Sequence, residues 1–517
     1  MKADNELYRQ LRTLSCDSLW NTEVARFNSA SLSDRVKQCA VIRAVSVVFA
    51  ASGTPHQKAD AIVWMKGLLQ DPAEKVRRYA MTAIPKLGED PSTEATLLAL
   101  LKSPATDRER RSVGHVLEKI GGTATLQMVE AYRGTLPVAE QKLRASVARK
   151  DHPSTILMNA RIEPVEGLRL HLRCRKGLES IVADEVTEHA SKGGVFRVIE
   201  TKRCLVAVGA TAAFSFSELH ALRCFDTVGI VLGLLHNPGE TNSIQSLATT
   251  ITSPLARRLL STLTHGSIRY RLEFVSMGNR DDTLRKVADR AYTLCPEILN
   301  DARLAPWAIE VHSAGIGAFV ELRPKFAASP RLFYRQEDIP AASHPPLAAC
   351  MARLAGRLPN EVVWDPFCGS GLELVETALL GGVKHVIGTD VSPEAIAIAQ
   401  SNFAAAKLES TQATFACADF RKYTAVPGLA NASISLIITN PPMGRRVRVP
   451  NLHQIIRDLF GVATRVLTPA GRMVFANPLR VTSSDPTLRL EYREVVDLGG
   501  FDCRLEVYRK VGRSTIR

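Results

Sequence analysis

EVVWDPFCGSG, residues 361–371, is an apolar run that ends on an acid, a proline and a glycine-rich turn. The run reads as a buried strand, and Pro366 marks its end because proline donates no ladder hydrogen bond. LELVETALLGG then places apolar residues at helical spacing. HVIGTDV, EAIAIAQSNFAAA, ATFACAD and SISLIITNPP continue the alternation of strand and helix. Units of this length predict an α/β fold with a parallel, doubly wound sheet. YREVVDLGGFDCRLEVYRK, near the end of the chain, reads as two strands joined around Gly499–Gly500, so the last strand is expected to insert antiparallel.

In such a sheet the ligand lies at the carboxyl ends of the strands. Gly369 and Gly371 let the backbone pass close beneath it, and the following helix offers free N–H groups. Asp390 ends the second strand, 25 residues after Asp365, where a carboxylate can accept both ribose hydroxyls. Asp419 ends the third, within reach of an adenine amine. Together they describe an adenosyl cofactor. Leu374 stands where a dinucleotide fingerprint has its third glycine, and Glu373 and Glu376 would repel a pyrophosphate. The sulfonium and ammonium of S-adenosylmethionine suit acidic neighbours, so that cofactor is expected over NAD. Singly, these acids read better as turn or helix-start residues; in this order at three successive strand ends they do not.

The fourth strand stops on Asn440, Pro441 and Pro442, followed by Met443. The prolines end the strand stiffly and fix the direction of Asn440. Its amide oxygen and a backbone carbonyl of the Pro pair can accept both hydrogens of an exocyclic amine, which aims the nitrogen lone pair at a transferable methyl. Asn440 through Met443 are therefore the expected catalytic residues, and the target base must leave its stack to reach them. A plain strand-ending turn is the competing reading of Asn-Pro-Pro.

Three segments are expected: a helical, HEAT-like domain over 1–152, an α+β domain over 160–328, and the doubly wound domain over 331–517. In the first, DPAEKVRRYAMTAIPKLG (71–88) and TDRERRSVGHVLEKIGG (106–122) resemble each other, with Gly88 and Gly121 at a helical-repeat distance of 33 residues. An irregular helical bundle competes with that reading. In the second, LRLHLRC (168–174) alternates as a half-exposed strand, with further strands at 195–199, 205–208, 270–274, 308–312 and 317–322 and a helix near 284–294.

The 517 residues carry 66 Lys and Arg against 52 Asp and Glu, a net charge of +14, which points to a polyanionic partner, nucleic acid ahead of a membrane. Ten scattered cysteines form no Cys-x-x-Cys pair, so neither a metal site nor a disulfide framework is expected. A soluble, cytoplasmic protein fits these features.

RCRKGLESIVADEV, the helix ending ALRCFDTVG, and LAPWAIEVHSAGIGAFVEL resemble the RNA-gripping THUMP module with its ferredoxin-like part. FYR (333–335), HPPLAACMARLAG (344–356), DPFCGSG, GTDVSPEAIAIAQSNF, Asp419 and TNPPMGRR resemble the THUMP-associated RNA guanine-N2 methyltransferases of class I fold. That resemblance implies N2-methylation of guanosine, in tRNA ahead of rRNA, with S-adenosylmethionine as cofactor. It implies cofactor contacts from His344, Asp365, Phe367, Gly369, Gly371, Asp390, Val391, Asp419, Phe420 and Asn440. RNA contacts are expected from Arg173, Arg175, Lys176, Arg445, Arg446 and Arg448. Met443 departs from the family's aromatic, Leu372 stands in place of a small hydroxyl residue, and the N-terminal helices lie outside the pattern, where a protein partner could bind. Another amino-methyltransferase, or an inactive RNA-binding adaptor of the same fold, remains the alternative.

Overall fold

The computed structural model describes residues 2–87, 91–102, 106–132, 143, 147, 153–236, 240–276, 280–302, 304–314, 317–326, 329–339, 342–443 and 451–512. The chain divides into two compact units, Met1–Pro153 and Ser154–Arg517.

Among the described residues, every element of the first unit is helical, including Ala40–Ser52, Pro55–Leu68, Glu74–Ala83, Pro91–Lys102 and Asp107–Ile120. Thr54 and Gln57 cap one helix reciprocally, and Thr106 caps another. The two arginine-rich segments form Glu74–Ala83 and Asp107–Ile120, the second ending at Gly121. Gly88 lies outside the described residues. Arg77 points inward instead of toward solvent: its Nε donates to the buried Glu109 at 2.6 Å and ties these helices together. Phe27, Phe49, Met65, Leu97 and Val113 centre the core.

The second unit holds an eight-stranded and a seven-stranded sheet. The eight-stranded sheet runs Phe196–Lys202, Leu205–Ala210, Leu170–Arg173, Thr227–His236, Gly317–Pro324, Trp307–Ala314, Arg269–Val275, Leu299–Asn300. Two expectations are corrected. Leu170–Arg173 is a central strand, not a half-exposed one, and His171 is buried with its Nδ1 2.7 Å from Glu321. The segment ending ALRCFDTVG is not one helix: a single turn at Phe216–Leu219 gives way to the strand Thr227–His236. That strand lies beside Gly317–Pro324, and a Cβ on its Gly229 would sit 2.3 Å from the Glu321 carboxylate.

The seven-stranded sheet runs Gln412–Cys417, Val383–Asp390, Glu361–Asp365, Ile434–Thr439, Leu467–Asn477, Asp502–Lys510, Leu488–Asp497. The first five are parallel. Asp502–Lys510 inserts antiparallel to both its neighbours, as the sequence implied. One continuous apolar core spans both sheets, from Ile162 to Val507.

Candidate active site

Three adjacent parallel strands end in Asp390, Asp365 and Thr439–Asn440, with Asp419 just beyond a fourth at the sheet's edge. All therefore stand at one carboxyl edge. Each acid holds its own turn by accepting the N–H two residues on: Asp365 from Phe367 at 3.0 Å, Asp390 from Ser392 at 2.9 Å, Asp419 from Arg421 at 2.9 Å. The turn reading of these acids is thus realised alongside any binding role. Asp390 also accepts Gly369 N–H at 3.1 Å, which anchors the glycine turn to the second strand. Gly371 has φ +83°, a conformation suited to glycine, and a Cβ there would press on Ala399 at 3.3 Å.

Asp365 is fully buried. Its Oδ1 accepts from Phe367 and Thr439, while Oδ2 has no hydrogen-bond partner. Burial, with Glu373 beside it, pushes its pKa well above the usual carboxylate range. Burial also raises Glu373 to about 7, against the hydrogen bond from Ser343. Ionising two such buried carboxyls is costly without a positive charge beside them, so a cation placed there would be stabilised as they ionise.

Asn440 is held from a direction the sequence did not reveal. Its Nδ2 donates to Ser343 Oγ at 2.8 Å, and the Ser343 hydroxyl donates to Glu373. Because an ionised Glu373 takes the only hydroxyl proton, Ser343 can meet Asn440 only as an acceptor. The amide nitrogen therefore faces Ser343, and Oδ1 is left buried without a partner. An orphaned buried acceptor costs about 1–3 kcal/mol. That cost is removed when a substrate N–H arrives.

His344 begins the helix Pro345–Ala355. Its Nε2 lies 3.3 Å from Asp226, its Nδ1 is buried without a partner, and burial lowers its pKa to about 4. The ring is neutral at pH 7. Phe367 and Phe420 meet at 4.9 Å between centroids, their rings tilted by 54°, with Phe420 mostly in the core, whereas Val391 is 73% exposed beside Asp390. Met443 is half-buried against the core.

The expected RNA-contact residues divide. Arg173 is engaged by Glu321, with Nε–Oε2 at 3.2 Å. Arg175 and Lys176 are half-exposed, in a turn whose Gly177 packs on the Val495 carbonyl. Arg445, Arg446 and Arg448 lie outside the described residues. Glu376, expected near the cofactor, instead accepts Arg223 at 2.7 and 2.8 Å and Tyr334 at 2.6 Å, joining the two sheets' layers. Asn402 was not singled out beforehand. Its amide bonds Gln336 N, Glu337 N and O, and Ser370 O, which pins the 336–337 segment to the glycine turn.

Five parallel strands with a reversed strand inserted near the edge, and this glycine turn and acid series, define a class I methyltransferase-like α/β fold. Residues 333–485 match the family UPF0020, described as "RMKL-like, methyltransferase domain". A curated relative, "tRNA (guanine(6)-N2)-methyltransferase" of Thermus thermophilus, is 27% identical over 227 residues, 43% of this chain and 64% of that one. The chain thus matches a little under two thirds of that relative's length. A Methanothermococcus thermolithotrophicus protein named "Probable tRNA (guanine(10)-N2)-dimethyltransferase" is 27% identical over 158 residues, 29% of this chain and 88% of that one. Among solved structures, TrmN from Thermus thermophilus superposes with TM-score 0.54 at 21% identity, covering 66% of this chain and all of that one. That likeness extends the shared fold well beyond residues 333–485.

Proposed function

We propose that this chain methylates the exocyclic N2 of guanosine in tRNA, using S-adenosylmethionine. The carrying observation is Asn440: a buried amide oxygen without a partner, at the carboxyl edge of the methyltransferase-like sheet, its amide nitrogen held by Ser343. The names of the two curated relatives support guanine N2 and tRNA as the target.

The residues present fit the cofactor. Asp365 offers an unpartnered buried oxygen, Glu373 a buried carboxyl whose ionised form a nearby positive charge would favour, and Asp390 a carboxylate beside the glycine turn. When bound, S-adenosylmethionine supplies an electrophilic methyl on a sulfonium. Asn440 Oδ1 and a backbone carbonyl of the Pro pair would accept the two amine hydrogens, which would orient the nitrogen lone pair for attack on the methyl. Fixing this geometry is the protein's main contribution, worth several kcal/mol in favourable cases. An amide is no base, so the amine loses its proton only after the new N–C bond has formed. Met443 offers a soft thioether for the flipped base to rest on.

Residues 160–328 serve as a THUMP and ferredoxin-like RNA grip, and residues 1–152 as a HEAT-like array. The family resemblance of RCRKGLESIVADEV and the basic excess support the first; the paired helices joined by Arg77–Glu109 support the second. Ten unpaired cysteines suit a reducing compartment such as the cytoplasm. No helix among the described residues is long and apolar enough to cross a membrane. The test is transfer of labelled methyl to unmodified tRNA. Asn440→Ala should abolish transfer while S-adenosylmethionine still binds; normal turnover by that variant would overturn the mechanism.

A further inference from the structure

We propose that a small aromatic cavity beside the eight-stranded sheet holds an unpaired cytosine of the RNA. The proposal rests on the reading above only in taking RNA as the partner.

A cavity of about 150 Å³ opens where the strands Thr227–His236 and Gly317–Pro324 meet the segment that leads to the seven-stranded sheet. A space of this size admits one six-membered ring. Its lining includes His220, Phe225, Asp226, Arg323, Phe326 and Arg331. The His220 and Phe326 rings cross edge to face at 5.3 Å between centroids, and His220 lies 5.9 Å from Phe225. Phe225 is buried, whereas His220 and Phe326 keep part of their surface exposed. A planar base finds aromatic faces there to lie against.

The polar groups of the cavity sort by what they have left to offer. Arg323 is engaged by Glu310 through Nε at 2.5 Å, and Arg331 donates to the carbonyls of Arg223, Phe225 and Asp226. Both cations are committed, so the cavity is not built for a phosphate. The groups that remain are acceptors. Asp226 Oδ1 is buried and accepts no hydrogen bond; His344 Nε2 lies 3.3 Å away without making one. Burial raises the Asp226 pKa to about 6, against the pull of Arg175 and Arg331, so the carboxylate form dominates at pH 7. His220 is neutral, because burial lowers its pKa to about 4. Its Nδ1 lies 2.6 Å from the Phe216 carbonyl and so carries the proton, which leaves a lone pair on Nε2.

A site of acceptors calls for a ligand with two hydrogens to donate. Cytosine carries both on N4, and a carboxylate is the usual partner of that amine. Uracil has one N3–H between two carbonyl oxygens, which a carboxylate repels. Purines carry a second ring that a space of this size does not admit. RNA is the source because Asp226 meets His344, and the adjacent Ser343 holds Asn440. An RNA whose guanosine reaches Asn440 therefore brings neighbouring nucleotides to this cavity.

The experiment measures binding of the full chain to oligo(C) and oligo(U) of equal length at fixed salt. Equal length gives equal phosphate charge, so the electrostatic contribution cancels. Wild type should bind oligo(C) about tenfold more tightly than oligo(U). Asp226→Asn, whose amide can donate as well as accept, should bring the two within about twofold, while Asn440→Ala keeps the full preference. Phe326→Ala trims a half-exposed ring and should weaken oligo(C) binding about fivefold or more. This variant carries the test if Asp226→Asn melts early. Equal binding of the two oligomers by wild type would overturn the proposal, as would a preference that survives Asp226→Asn or disappears with Asn440→Ala. Unchanged affinity in Phe326→Ala would overturn it as well, and so would competition by free cytidine as strong as by oligo(C), which marks a nucleoside site. Wild type that prefers oligo(C) in this way but never methylates tRNA would overturn the proposed reaction and leave the cavity assignment standing.

Discussion

At the scale of single residues, the chemistry turns on which end of the Asn440 amide faces the amine. With Glu373 ionised, the Ser343 proton is committed to it and Oδ1 faces away from Ser343. With Glu373 protonated, the carboxyl can donate to Ser343, whose hydroxyl is then free to donate to Asn440. The amide turns over and presents N–H to N–H. Methyl transfer should therefore fall as Glu373 takes up a proton, at a pH below the value of about 7 it has without the cofactor's positive charge beside it, approaching about tenfold per pH unit on the acid side. Glu373→Gln should remove that limb from the pH–rate profile; an unchanged limb would exclude Glu373 as its source. The same shift acts on stability. The folded Glu373 keeps a proton that the unfolded one gives up above its usual 4.5, so its contribution falls as pH rises from there to about 7. Without bound cofactor, Glu373→Gln should then melt a few degrees higher than wild type at pH 8. Asn440 was legible in the sequence because two prolines fix its place. Ser343 was not, since one hydroxyl before His-Pro-Pro carries no spacing signal. Glu373 was read for its charge, and its burial depends on packing that residues 361–379 alone do not specify.

At the scale of elements, the parallel strands and the reversed last strand were readable because each unit ends on proline, glycine or an acid. Thr227–His236 was missed. TVGIVLGLLH is a continuous apolar run, which periodicity cannot separate from a buried helix. Its Gly229 makes room for the Glu321 carboxylate of the neighbouring strand, a contact visible only in three dimensions. The buried Glu321 stays ionised by the same neighbours: burial opposes ionisation, but the bonds from His171 and Arg173 outweigh it and hold its pKa below the usual value. Arg223 and Glu376 form a second cross-element tie, half-buried at the arginine and buried at the carboxylate. Arg223→Ala leaves that carboxylate with Tyr334 alone and should cost about 3 kcal/mol. Urea unfolding measures the loss, and a change under about 0.5 kcal/mol would show the pair to be dispensable.

At the scale of the molecule, Ser154–Arg517 carries its eight- and seven-stranded sheets on one shared core, with a second core on the other face of the seven-stranded sheet. The expected boundary between residues 328 and 331 marks a change of sheet, but Arg331 donates to the carbonyls of Arg223, Phe225 and Asp226 across it. A fragment of residues 154–517 should consequently unfold in a single cooperative transition by calorimetry; two separated transitions would show that its sheets fold independently. The central claim is more specific than the fold. Purified protein, unmodified tRNA and methyl-labelled S-adenosylmethionine can be incubated together and the RNA digested to nucleosides for mass spectrometry. The label is expected in N2-methylguanosine with wild type and in no nucleoside with Asn440→Ala. Label in N6-methyladenosine or N4-methylcytidine, or none at all with wild type, would contradict it.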